Sequence, residues 1–111
     1  MDDETFIVKN NENKNIIWSI NQIKTTKELA KEGNRMRHCV LSYKNYCMNG
    51  SISIWSLSRQ DEFNTIEPKV TIELSSSKLI MQARGLANRE TRADEKRIIR
   101  LWAIKNDLDY A

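Results

Sequence analysis

The chain has 111 residues and a formal net charge of +3, a length that holds one domain because a second core would be starved of chain. Hydrophobic residues at 40% and charged residues at 30% exclude wholesale disorder, and no run of about 18 apolar residues exists to span a membrane. The acidic opening MDDETF is unlike a secretory leader, so a cytoplasmic, soluble protein is expected, with its two cysteines as free thiols rather than a Cys39–Cys47 bridge.

Thr5–Val8 and Asn15–Ile20 are β-branched and aromatic runs separated by the polar KNNENK. They predict a weak N-terminal hairpin, residues 1–24, ahead of a domain over 25–111. Thr25-Thr26-Lys27-Glu28 has the S/T-x-x-E spacing of a capping box and predicts a short helix over Lys27–Glu32, stopped by Gly33. A second helix is predicted from Arg35 or Cys39 to Met48, with Met36, Val40, Tyr43 and Cys47 on one stripe.

Ser51–Ser58 reads as a strand. After the loop RQDEFNTIEP come two more, Lys69–Leu74 and Lys78–Arg84, joined by three serines. On the first, Val70, Ile72 and Leu74 oppose Thr71 and Glu73; on the second, Leu79, Met81 and Ala83 oppose Ile80, Gln82 and Arg84. Paired as a hairpin with their apolar sets together, these strands bring Glu73, Gln82 and Arg84 to one surface. A last helix is predicted from Thr91 or Ala93 to Asn106, packed through Ile98, Leu101, Trp102 and Lys105. The expected fold is therefore α+β: a weak N-terminal hairpin, two short helices, a three-stranded antiparallel sheet and a C-terminal helix.

The only histidine, His38, adjoins Cys39. A thiol at a helix start beside Arg35 and Arg37 is in surroundings that favour thiolate. Adjacent helical residues diverge by about 100°, so His38 is badly placed as the base for Cys39, which leaves Glu73 or a substrate group for that role. His38, Cys39 and Cys47 are three ligands without CxxC spacing, so no metal is expected. Gly33, Gly50 and Gly85 are isolated, so no phosphate-binding loop and no cofactor are expected. A pocket joining His38, Cys39 and Glu73 as catalytic candidates to Gln82, Arg84 and Asn88 as ligand contacts suits an anion or a nucleobase edge. The same residues suit a buried network that locks helices to sheet. Arg89, Arg92, Lys96, Arg97 and Arg100 form a basic tract that either lies along phosphates or makes a solvated helix face.

The segment ELAKEGNRMRHCVLSYKNYCMNGSISIWSL, followed by VTIEL, IMQARGLANRE and a helix with Trp102, resembles the PcfJ-like family of conjugative plasmids, phages and other mobile elements. The resemblance runs from Thr25 to Leu108 through EG-x-x-M-x-HCV-x-x-Y, C-x-x-G, TIE and Q-x-x-G-x-x-N. Its matching positions are Glu32, Gly33, Met36, His38, Cys39, Val40, Tyr43, Cys47, Gly50, Thr71, Glu73, Gln82, Gly85 and Asn88; through it Tyr43 joins the ligand-binding candidates. Leu41-Ser42 and Ala83-Arg84 depart from the family's more usual glycine-rich and lysine-bearing forms. The resemblance implies a mobile-element setting and supplies no reaction. The expected function is a polar pocket that binds, and in its catalytic form acts on, a nucleotide or nucleic-acid-derived ligand. The alternative is a non-catalytic nucleic-acid-binding or protein-interaction module of conjugation, phage or defence machinery, with a mobile-element protein as partner and no membrane.

Overall fold

The computed structural model describes residues 1–36 and 51–111, which build a curled mixed sheet of six strands in sequential order. The strands are β1 (Glu4–Lys9), β2 (Asn15–Ile23), β3 (Ile52–Gln60), β4 (Ile66–Ser75), β5 (Leu79–Arg84) and β6 (Asp109–Tyr110). Helix α1 (Thr26–Met36) follows β2, and a 3-10 turn (Leu86–Asn88) and helix α2 (Ala93–Lys105) follow β5. All neighbouring strands are antiparallel except β5 and β6.

This corrects the expected α+β arrangement of two N-terminal helices and a three-stranded sheet, since 43% of the described residues are strand. The physical reason is long-range pairing. β2 lies against β3 from Ile17↔Gln60 to Ile23↔Ile54, which makes the N-terminal hairpin the first third of the sheet. β3 and β4 also extend further than expected, shrinking their loop to a turn. There the Asp61 carboxylate accepts from Phe63 N–H at 2.9 Å and Thr65 N–H at 3.0 Å. The helix expected to end at Met48 lies outside the described residues beyond Met36.

Two cores sit on opposite faces of the sheet. On one, Trp18, Ile20, Trp55, Leu57, Val70 and Ile72 pack against Ile98, Ile99, Trp102 and Ala103 of α2. The Trp55 and Trp102 rings lie 5.3 Å apart at 57°, a tilted aromatic pair. Each such buried large side chain contributes about 1.5–3 kcal/mol. Leu101 and Lys105, expected on the packed side, are exposed, as is Ile104, because the helix docks through its 98–99–102–103 stripe. On the other face α1 sets Leu29 against Ile54, with Ile23 and Ile52 beside them. The first half of the expected capping box forms, with Thr25 Oγ1 accepting from Glu28 N–H at 3.1 Å, while the Glu28 carboxylate reaches one residue past the cap, to Lys24 N–H at 3.3 Å.

An irregularity in β5 changes the expected alternation. Leu74 pairs with Ile80 and Glu73 with Gln82, so Met81 is the extra residue of a bulge. Ile80 thereby joins Ala83 on the α2 side instead of sharing a face with Gln82 and Arg84.

Candidate functional site

Register places polar side chains in rungs across the face that α1 covers. Asn21 pairs with Ser56, Ser56 with Thr71, and Thr71 with Arg84, giving one rung over four strands. The next rung is Ile23, Ile54, Glu73 and Gln82. Side chains directly opposite on neighbouring strands stand about 4.5–5.5 Å apart at Cβ. Glu73, Gln82 and Arg84, all half-buried, are thus brought onto one surface.

Glu32 of α1 presses onto this surface. It is 5% exposed, and its two oxygens accept from Ser56 Oγ at 3.1 Å and Thr71 Oγ1 at 2.7 Å. Burial pushes its carboxyl above the ordinary range, against the opposing effect of those two hydroxyl donors and of the nearby Arg35 charge. Among the described residues no cation makes a salt bridge with it. The same face therefore holds a sheltered carboxyl, a guanidinium opposite one of its hydroxyl donors, and a carboxylate–carboxamide pair one rung away.

A family model described as PcfJ-like protein matches residues 3–99. The chain belongs to the PcfJ-like family. No curated protein and no solved structure matches it.

Of the described positions that carry the family resemblance, Glu32, Thr71, Glu73 and Gln82 share this side of the sheet. Glu32 contacts Thr71, Glu73 faces Gln82, and α1 touches the 3-10 turn that ends in Asn88. Ala87 and Asn88 both take positive φ, 53° and 61°, in that turn. His38, Cys39, Tyr43 and Cys47 lie outside the described residues. Glu32 is the group that sequence reasoning left out of the site although it matched the motif. Its signal is the spacing Leu29, Glu32, Met36, which sets a carboxylate in the middle of a buried helical stripe.

The basic tract divides. Arg89 is engaged inside the protein: its guanidinium donates to both oxygens of Glu95 at 2.8 Å, and to the carbonyls of Lys69 at 3.2 Å and Glu90 at 2.9 Å. Burial pulls the Glu95 carboxyl up, but the Arg89 hydrogen bonds, the Arg92 amide and both arginine charges together hold it below the ordinary range. Its partnership with Glu95 raises Arg89 in turn. Arg92, Lys96, Arg97 and Arg100 are exposed on or beside α2, across the sheet from Glu32. Among the described residues no group of three His, Cys, Asp or Glu gathers as a metal site, and no helix is long and apolar enough to cross a membrane.

Proposed function

We propose that the α1-covered face of the sheet binds a nucleotide or nucleic-acid-derived ligand, with Glu32 as its acid–base group. The observation that carries this reading is the buried Glu32 carboxyl on the Ser56–Thr71 pair, with Arg84 opposite Thr71 on the neighbouring strand. Tethering a helix to a sheet needs no ionisable group, and burying a carboxylate costs several kcal/mol, so a carboxyl there fits proton transfer. Arg84 is suited to a phosphate oxygen, and Gln82 and Asn88 to donor–acceptor edges of a base. Glu73 supplies the second carboxylate. His38 and Cys39 belong to the same proposal through chain connectivity. His38 and Cys39, outside the described residues, follow Met36 in the sequence by two and three positions. Tyr43 completes the proposed ligand contacts.

The proposed setting is cytoplasmic, in a protein of a plasmid, phage or related mobile element, as the family resemblance implies. Calorimetric titration with AMP, ATP and a short single-stranded RNA tests the ligand class. Arg84→Ala should weaken binding about tenfold or more, the loss expected for one charge-assisted hydrogen bond. Glu32→Gln should leave affinity within about twofold while removing any turnover. Absence of binding to all three probes, or full affinity in Arg84→Ala, would defeat the reading.

A second reading rests on the exposure of Arg92, Lys96, Arg97 and Arg100 along one helix. In this reading α2 lies along a nucleic-acid backbone. Replacing Lys96, Arg97 and Arg100 by glutamine should then weaken binding to duplex DNA and flatten its salt dependence by a slope of about 2–3. Unchanged salt dependence would remove it.

A further inference from the structure

Among the described residues, the outer edge of the sheet is only half covered. β6 lies beside β5 at Leu79 and Ile80 alone, with Asp109 N–H donating to Lys78 O at 3.0 Å and Ala111 N–H to Ile80 O at 3.1 Å. From Met81 to Arg84, about 13 Å at the rise of a strand, nothing pairs with that edge among the described residues. A cleft of about 330 Å³ lies along this stretch, between Tyr110–Ala111 and the Glu90–Thr91 connection, and takes in Arg84 and Lys96. An adjoining hollow of about 280 Å³ is lined by Ala83, Ile99 and Tyr110 together with Lys96 and Arg100.

We propose that this edge takes up an extended acidic segment of a partner protein as a further strand. An uncovered sheet edge offers main-chain hydrogen bonds to any chain laid beside it, and pockets for alternate side chains then select the sequence. Successive residues of such a segment point to opposite faces of the sheet. Apolar residues on the α2 side meet Ala83, Ile99 and Tyr110. Acidic residues on the opposite face meet Arg84, and acidic residues next to the apolar ones along the α2 side meet Lys96 and Arg100; among the described residues Glu90 is the one acidic side chain lining either cavity. A nucleic acid fits less well, since its bases need aromatic platforms and, among the described residues, Tyr110 is the only aromatic side chain lining these cavities. The cleft shares Gln82 and Arg84 with the proposed ligand site, whereas Glu32 lies under the helix on the other face, and main-chain protection along Met81–Arg84 reads the edge alone.

Amide hydrogen exchange read by NMR on the full chain is the test. The probe is a short synthetic peptide of the repeat Val-Val-Asp-Asp, which sets both residue types on each face of the strand. Its controls are the same peptide N-methylated at alternate amides and a short single-stranded oligonucleotide. The expected result is protection of amides within Met81–Arg84 by the plain peptide, lost with the N-methylated one. The double variant Lys96→Glu, Arg100→Glu alters two exposed side chains, and circular dichroism checks its fold. It should weaken peptide binding about tenfold or more. The proposal is overturned if the plain peptide protects none of these amides, if the methylated peptide protects them equally, if the double variant binds as tightly as the parent, or if only the oligonucleotide protects them.

Discussion

Alanine and glutamine at position 32 separate packing from ionisation in one side chain. Glu32→Ala leaves Ser56 and Thr71 without their acceptor and opens a gap under α1, and should cost about 2–3 kcal/mol in urea unfolding. Glu32→Gln keeps an acceptor and the shape, and should stay within about 1 kcal/mol of the parent at neutral pH. The pH dependence follows from the direction of the shift. The folded carboxyl holds its proton more tightly than the ordinary value of 4.5, so its contribution is complete below that value. It is lost as pH rises through the folded pKa, and a comparison of urea midpoints should show that limb flattened in Glu32→Gln. Glu95 runs the other way: its folded pKa is lowered, so its contribution is present above 4.5 and lost as pH falls through the folded value. Arg89→Ala, which strands the buried Glu95 carboxylate, should cost about 3 kcal/mol at neutral pH and progressively less in acid. The adjacent His38 and Cys39 are conspicuous in the sequence because they are rare, whereas Glu32 is one carboxylate among many. Ending the first helix at Gly33 also hides the stripe that includes Glu32, since Met36 then falls outside it.

At the scale of elements, strand identity is legible from composition, and the capping box at Thr25 is legible from spacing. The bulges are not, because strict alternation through Lys78–Arg84 contains no sign that Met81 is extra. Arg89 shows the same limit: a basic residue in a basic tract reads as surface until the fold brings Lys69 O and Glu95 to it. Gly85 then acquires a role that no turn conformation demands, since a Cβ there would run into the Arg89 guanidinium. With that guanidinium held at both ends by Glu95, Gly85→Ala should cost about 1–3 kcal/mol by overpacking. In an Arg89→Ala background the penalty should shrink, giving a coupling of at least about 0.5 kcal/mol in a double-mutant unfolding cycle. Full additivity would show that the two residues do not press on each other.

For the whole molecule, the sheet separates two surfaces of different chemistry, a polar one beneath α1 and a basic one along α2. Neutralising Arg97 should therefore leave nucleotide affinity within about twofold in calorimetry, because that side chain lies across the sheet from Glu32, beside Trp18 and Arg59, whereas Lys96 shares a cleft with Arg84. Which strands neighbour which was the least legible feature. β2 pairs with β3 across an interval that local pattern does not bridge, and the two-residue β6 leaves almost no trace in sequence. The resulting order nonetheless has every strand from β1 to β5 beside its predecessor in the chain. Such a meander can assemble in the order in which it leaves the ribosome, each new strand finding a waiting template, until α2 seals the apolar side last. A growing chain halted before Ala93 would consequently display Trp18, Trp55 and their neighbours to the solvent, a stage at which a chaperone would find its grip.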